Sequence, residues 1–147
     1  MTGLTIRRAE ASDLPEIIAM LADDELGATR EDASDPPNPA YLAAFEAISQ
    51  DLNQFLAVGV VEGQVIGCLQ LSFIPGLSHK GMWRGQIEGV RVHGDHRGSG
   101  LGSDLLRWAI DQCRAKGCGM VQLTTTNSRK KAQQLYQRLG LLPVIQV

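Results

Sequence analysis

The segment that most limits the possible folds of this chain is "VRVHGDHRGSGLGSDLL", residues 90–106. It contains an alternating apolar stretch, a loop with the glycines Gly98, Gly100 and Gly102, and the first turns of a helical pattern. Glycines let a backbone approach a ligand closely because they lack a Cβ atom. The unpaired N–H groups at the start of a helix attract anions. The segment therefore predicts either an anion-binding loop or a glycine-rich turn that only begins the helix.

Two common phosphate-binding motifs do not fit this loop. A dinucleotide-binding fingerprint needs Gly-x-Gly-x-x-Gly, and Ser103 stands where its third glycine should be. A P-loop ends in Gly-Lys-Ser/Thr, which this segment lacks. Arg97 directly precedes the glycines and adds a fixed positive charge. An anion would be held here by main-chain N–H groups, a helix start and one arginine.

Composition narrows the class of protein. The chain has 147 residues, of which 44% are hydrophobic, and this suits one domain over residues 1–147. A net charge of −2 argues against nucleic-acid binding. The apolar runs are too short to span a membrane, and the start lacks the apolar block of a signal peptide, so we expect a cytoplasmic protein. The three cysteines have no metal-binding spacing, so we expect reduced thiols and no metal site.

The order of predicted elements indicates a single α+β domain. We expect a strand over 4–9, a helix that ends at Gly27, a loop over 28–39 and a second helix from residue 40. Two strands turning at Glu62-Gly63 lie within 54–74. A strand over 86–92, a helix to Gly117, a strand over 120–126, a helix to Gly140 and a last strand follow. This pattern predicts one mixed, mostly antiparallel sheet flanked by helices.

Two motifs about thirty residues apart resemble those of the GCN5-related N-acetyltransferase (GNAT) superfamily. They are Val90-x-Val92 followed by Arg97-x-x-Gly100-x-Gly102, and "NSRKKAQQLYQRLGL", residues 127–141. The resemblance covers nearly the whole chain in the family's element order. It implies a GNAT-like fold, acetyl-coenzyme A as acetyl donor, and transfer to a primary amine.

The resemblance also implies which residues bind the coenzyme. Main-chain N–H groups of the glycine loop, residues 97–102, would hold the pyrophosphate. The strand edge at Val90–Val92 would pair with the pantetheine arm like an added strand, and Asn127 would contact the same arm. The cofactor-binding residues expected on this basis are Val90, Arg91, Val92, Arg97, Gly98, Ser99, Gly100, Leu101, Gly102 and Asn127.

Two side chains are candidates for catalysis. Glu88 is expected on the same face of its strand as Val90 and Val92, with Ile87 on the other face. It would serve as a base, because an alkyl amine with a pKa of about 10.4 is mostly protonated at neutral pH. The alternative is that Glu88 only binds the substrate ammonium or pairs with an arginine. His79, in the loop before this strand, is a weaker candidate for the base.

Tyr136 is the candidate acid for the leaving thiolate. It stands nine residues after Asn127, as the family's tyrosine does, and a phenol with a pKa of about 10 can donate this proton. The alternative is an aromatic ring packed beside Leu135 and Leu139.

The acceptor side is less specific in the sequence. Acidic residues concentrated between positions 23 and 35 would attract a cationic amine or form a solvated surface: Asp23, Asp24, Glu25, Glu31, Asp32 and Asp35. Trp83, Tyr41 and Phe45 would line an apolar wall or belong to the core. We predict a small-molecule amine as acceptor, with a protein amine or a non-catalytic coenzyme-binding module as alternatives.

The last predicted strand gives an expectation about assembly. Members of the superfamily continue through two strands after the helix that carries the tyrosine, whereas this chain has only "LLPVIQV", residues 141–147. Either that second strand is missing or a partner supplies it. An uncovered apolar edge predicts a homodimer that pairs through Val144–Val147.

Overall fold

The computed structural model describes residues 3–125 and 142–145, the last four and residues 124–125 by their backbone alone. These residues form a six-stranded sheet with helices on both faces. Its elements are β1 Thr5–Arg8, α1 Leu14–Ala22, α2 Glu25–Arg30, α3 Pro39–Gln50, β2 Gln54–Val61, β3 Gln64–Pro75, the single turn α4 Ser78–Gly81, β4 Trp83–Val92, α5 Leu101–Lys116, β5 Met120–Thr125 and β6 Leu142–Ile145.

The strands lie in the sheet in the order in which they follow along the chain. β1 to β4 pair antiparallel with their neighbours, whereas β4–β5 and β5–β6 are parallel. The predicted mixed, mostly antiparallel sheet is confirmed. The predicted turn between β2 and β3 is also confirmed, with Glu62 at φ 50° and Gly63 at φ 77°.

The helix predicted to end at Gly27 is two helices instead. α1 ends at Ala22, and α2 begins after Asp24, whose side chain accepts a hydrogen bond from the Gly27 N–H. An aspartate at a helix N-cap satisfies a backbone donor that has no partner within the helix. Gly27 therefore lies inside α2, and the predicted loop over 28–39 begins only after Arg30.

The core is divided between the two faces of the sheet. On one face α5 packs against apolar residues of the strands, and the fully buried side chains there include Leu69, Leu71, Ile87, Leu105 and Leu106. On the other face α1 covers a smaller cluster: Ile17, Met20, Val58 and Cys68. We call these the α5 face and the α1 face.

All three cysteines are free. Burial raises the pKa of the Cys68 thiol and that of the Cys113 thiol to about 12. Both thiols are therefore protonated and poorly nucleophilic at neutral pH, in agreement with their place in the core.

A bulge in β4 changes which residues share a face. Gln70 pairs with Glu88, and Cys68 pairs with Arg91, so two residues of β4 oppose Leu69 alone. Gly89 supplies the bulge with a φ of +64°, which glycine adopts at little cost. Glu88 therefore lies on the α1 face.

After the bulge, the apolar side chains of β4 turn to the opposite face. Val90 and Val92 pack against the apolar cluster of the α5 face. The prediction that Glu88 shares a face with these two valines is wrong, because strict alternation along a strand fails at a bulge.

The two central parallel strands separate near the bulge. β4 pairs with β5 only from Arg84 to Ile87, and the last β5 partner is Leu123. Beyond that point β5 pairs with β6, and β4 continues to Val92 paired with β3 alone among the described residues. Among the described residues, β4 and β5 thus diverge beside Glu88, and residues 88–92 form an edge of β4 without a second strand partner. We call the gap between the two strands the cleft.

Candidate active site

The glycine loop joins the open end of β4 to α5. Gly98 and Gly100 have φ values of 81° and 87°, a region that favours glycine. Open space surrounds both, since a Cβ atom added at either would meet no atom within 4 Å. Gly100 is the N-cap of α5 and has no side chain to cap it. The first N–H groups of α5 therefore face an open, backbone-lined site with a positive helix dipole, which fits a phosphate group.

The side chain of Arg97 is already engaged with other groups of the protein. Its guanidinium lies 3.2 Å from a carboxylate oxygen of Asp23 and donates to the carbonyl oxygens of Asp23 and Val92. The expected fixed positive charge of the loop is therefore shared with a carboxylate. An anion at this loop would be held mainly by the backbone and the helix start.

A second arginine of β4 also pairs with the link between α1 and α2. The guanidinium of Arg91 lies 3.8 Å from the carboxylate of Asp24 on the α1 face. Asp23 and Asp24 were expected to attract an amine or to form a solvated surface. Ion pairs of these two residues join this link to the end of β4 and to the glycine loop, and the Asp23 side chain remains more than half exposed.

The other acidic residues of this region differ in their surroundings. The Tyr41 hydroxyl donates to Glu31 at 2.8 Å and accepts from the N–H of Asp32 at 2.9 Å. Hydrogen bonds from Ser34 and Asn38 hold the pKa of Asp32 below its usual range. These residues order the segment between α2 and α3.

Glu88 has the features of an available proton acceptor. It is partly buried on the α1 face, at the point where β4 and β5 separate. No hydrogen bond or ion pair to its carboxylate occurs among the described residues. Burial raises the pKa of Glu88 above its usual range, because removal of water disfavours the charged form.

Glu88 belongs to a group of polar side chains on the sheet, most of which are uncharged. We define the polar sheet face as seven residues that share the α1 face in register: Gln54, Gln70, Ser72, Arg84, Gln86, Glu88 and Gln122. Its amides bond to one another. The Gln54 side-chain oxygen accepts from Gln70 at 2.9 Å and from Ser72 at 3.0 Å, and Gln122 donates to Gln86 at 3.0 Å.

Sequence reasoning missed most of this face. The alternating polar residues of "WRGQIEG", residues 83–89, indicate a polar side of this strand. They do not show that polar residues of three other strands lie in register beside it, because register depends on pairing between distant segments.

Several predicted residues do not meet at this site. Trp83 lies near Lys116 of α5, on the face opposite Glu88, whereas Phe45 lines a cavity with Arg8 and Ile48. They form no common wall. His79 is exposed in α4, at left-handed φ and ψ angles.

The remaining candidates lie elsewhere. Asn127 and Tyr136 lie outside the described residues, as do the last two residues of the expected pairing segment 144–147.

Three features together are typical of one class of protein. A mixed sheet has two parallel strands, β4 and β5, that separate along their length; a carboxylate lies where they separate; and a glycine-rich helix start follows the unpaired end of β4. The model of the "Acetyltransferase (GNAT) family" matches residues 18–141. The chain belongs to this family.

Individual relatives agree with that assignment. The chain is 32% identical over 101 residues, or 69% of its length, to the aminoalkylphosphonate N-acetyltransferase of Salmonella typhimurium. It is 30% identical over 94% of its length to the streptothricin acetyltransferase of Streptomyces lavendulae. The matches span 65% and 62% of these two relatives.

One protein of known structure is more similar in sequence to this chain than the two acetyltransferases above. A protein from Bacillus halodurans C-125 described as a transcriptional regulator superposes with a TM-score of 0.91 at 42% identity. The match covers 95% of this chain and 93% of that one.

Among the described residues, no helix combines the length and apolar character needed to cross a membrane. The same residues contain no group of three or more histidine, cysteine, aspartate or glutamate side chains placed to hold a metal ion.

Proposed function

We propose that this protein transfers the acetyl group of acetyl-coenzyme A to the primary amine of a small molecule. One observation carries the proposal: Glu88, a carboxylate without a partner among the described residues, lies where β4 and β5 separate. A base at this position is accessible from the cleft, and acetylation of an amine requires one.

The coenzyme would bind along the open end of β4. The glycine loop would hold its pyrophosphate through backbone N–H groups and the start of α5. The free edge of residues 90–92 would pair with the pantetheine arm as an added strand does. When bound, acetyl-coenzyme A supplies the activated acetyl thioester.

Glu88 would make the amine reactive. It would attract the ammonium group and accept a proton from it, directly or through water, so that the nitrogen lone pair can bond to the acetyl carbon. The carbon–sulfur bond then breaks and the thiolate takes up a proton. The raised pKa of Glu88 brings the carboxylate closer in basicity to the group from which it takes the proton.

Tyr136 and Asn127 enter the proposal only through the family resemblance. Tyr136 would donate the proton to the leaving thiolate, and Asn127 would contact the coenzyme arm. Replacing Tyr136 by Phe tests the first role. We expect turnover to fall about 100-fold at unchanged coenzyme affinity.

The class of acceptor is supported by relatives. The two acetyltransferases above have names that specify small amines, an aminoalkylphosphonate and streptothricin. The polar sheet face supports the same class, since it offers charged and amide groups to a compact polar ligand.

The decisive experiment is a panel of small amines with acetyl-coenzyme A and a free-thiol readout. We expect at least one amine to release thiol with the wild type. Glu88→Gln should lower turnover, with partial recovery at high pH where more of the amine is neutral. Glu62→Gln, which changes an exposed glutamate of the β2–β3 turn, is the matched control.

Other outcomes select other functions. A raised KM at unchanged kcat in Glu88→Gln assigns the carboxylate to binding of the ammonium group. Coenzyme binding without turnover on any amine would contradict the proposal. It would favour the non-catalytic module, a role in keeping with the description of the Bacillus halodurans protein.

We also propose a homodimer that pairs through β6. This strand is the last one in the sheet of the described residues, and an edge strand offers unpaired backbone groups to another chain. Sedimentation at micromolar concentration should show a dimer, and Ile145→Asp should weaken it. A wild type that stays monomeric at high concentration contradicts this assembly.

A further inference from the structure

The polar sheet face contains one cation, Arg84, which the proposed reaction does not use. Arg84 lies at the start of β4, on the same face as Gln86 and Glu88. Its Nε atom is buried and has no hydrogen-bond partner in the part of the chain that the structure describes. Among the described residues, no carboxylate forms an ion pair with it. A buried guanidinium nitrogen without a partner is costly and rare in a folded protein.

The residues beside Arg84 on the adjacent strands, Ile74 and Met120, carry no charge, and the polar residues further along the same face are neutral. Gln86 and Gln122 bond to each other, and Gln54 bonds to Gln70 and Ser72. These amides are neutral, and their mutual hydrogen bonds fix the positions of their side chains. Arg84 is thus the positive end of a neutral polar surface.

Glu88 is the negative end of that surface. It is four positions from Arg84 along β4, so the two Cα atoms lie about 13 Å apart at roughly 3.3 Å per residue. The Arg84 guanidinium extends toward the turn after β3, because its Nη1 lies 4.0 Å from the place of a Cβ on Gly76. The opposite charges are therefore too far apart to neutralise each other as a contact pair.

We infer that Arg84 is a specificity-determining residue that binds an anionic group of the acceptor. This inference rests on the proposed function and specifies its substrate class: a primary amine that also carries a carboxylate or a phosphate-type group, with several bonds between the two. Glu88 takes the ammonium end, and the guanidinium of Arg84 takes the oxyanion, to which its planar donors are suited.

The test compares matched acceptors of increasing length. Amino carboxylates from glycine to 8-aminooctanoate are paired with alkylamines of equal chain length, and 6-aminohexyl phosphate provides the phosphate arm. For wild type, we expect kcat/KM to favour the longer anionic acceptors at least tenfold over their neutral partners. We expect no such preference for glycine, because its charges are too close to reach both residues.

Variants then assign the preference to Arg84. Arg84→Met keeps the alkyl stem, and we expect it to reduce the preference to threefold or less, mainly through KM. Its affinity for acetyl-coenzyme A should stay within twofold of wild type. Arg84→Lys should retain part of the preference. Arg107→Met, on the exposed side of α5, is the control for loss of one positive charge.

A melting temperature shows whether a change in Arg84→Met comes from altered folding or from altered substrate preference. Because the Nε atom of Arg84 is buried without a partner among the described residues, we expect Arg84→Met to melt at the same temperature as wild type or higher. An undiminished preference in Arg84→Met overturns the inference and leaves the acetyltransferase proposal intact, and equal rates for neutral and anionic acceptors in wild type do the same. Failure of wild type to acetylate any amine in the panel overturns both.

Discussion

Glu88 and Val90 lie on opposite faces of β4, although a single residue separates them in the sequence. The bulge at Gly89 causes this, because it places two residues of β4 opposite Leu69 of β3. The carboxylate is thereby directed to the polar sheet face, while the valine remains in the core on the α5 face. One glycine thus lets a single strand present a carboxylate on one face and an apolar side chain on the other.

The first prediction concerns the glycine loop. Gly100→Asp places a negative side chain at the start of α5, and we expect acetyl-coenzyme A to bind at least tenfold more weakly, about 1.4 kcal/mol. Calorimetry on the folded variant measures this.

Gly117→Asp is the control for that change. Gly117 caps the other end of α5 with a φ of 88°, close to the 87° of Gly100, and also has open space around it. The Gly117→Asp variant should have the same backbone strain, but its affinity for acetyl-coenzyme A should be unchanged. Equal affinities in wild type and Gly100→Asp would exclude the loop as the phosphate site.

The second prediction concerns the ion pair between Asp23 and Arg97. Asp23→Asn removes a carboxylate that competes with a phosphate for the guanidinium. We expect acetyl-coenzyme A to bind a few-fold more tightly at low salt, and the gain to shrink as salt screens the charges. Because both side chains are more than half exposed, stability should change by less than about 1 kcal/mol.

Titration calorimetry at two ionic strengths checks this second prediction. Asp111→Asn, which breaks a similar exposed pair with Arg114 on α5, should leave affinity unchanged. Weaker binding by Asp23→Asn would show that the ion pair maintains the binding shape of the loop, contrary to what we expect.

The third prediction concerns stability and pH. Burial raises the pKa of Glu88, so the folded protein holds this proton more tightly than the unfolded chain does. The resulting stabilisation is present below the unfolded pKa of about 4.3 and is lost as pH rises through the folded pKa. Relative to wild type, Glu88→Gln should therefore gain stability between pH 4 and pH 8.

Urea unfolding across that pH range measures the effect. Glu62→Gln provides the baseline for removing a glutamate that is exposed. A difference between wild type and Glu88→Gln that stays constant with pH would contradict the prediction.

The fourth prediction concerns packing beneath α5. Gly85 lies against Cys113, and a methyl group at Gly85 would overlap with the Cys113 sulfur. We expect Gly85→Ala to lower the free energy of unfolding by about 1–3 kcal/mol. Cys113→Ala should recover part of that loss when the two are combined, because it removes the sulfur.

A double-mutant cycle measures this coupling. Cys68→Ala is the control, since Cys68 is buried on the other face of the sheet and should add its cost independently. Strict additivity of Gly85→Ala and Cys113→Ala would show that the two residues do not restrict each other.

Local patterns in the sequence predicted much of the fold. The alternation of β4, the turn at Glu62-Gly63 and the helical spacing of α5 each lie within one continuous segment. Such patterns report which side chains face a core, and so they predict elements well. The division between α1 and α2 was missed because Asp24 is one of several residues in that stretch able to cap a helix.

The sequence by itself determined most of the described elements and the glycine-rich start of α5, because glycine spacing and apolar periodicity act on neighbouring residues. Only the tertiary structure decided how the charged groups are used. Arg97 meets Asp23 across 74 positions of the chain. Glu88 faces away from Val90 because β3 fixes the bulge. The Nε of Arg84 has no partner among the described residues, because its neighbours on the adjacent strands, Ile74 and Met120, are apolar. These relationships depend on strand register and on packing between distant segments, which no single stretch of sequence encodes.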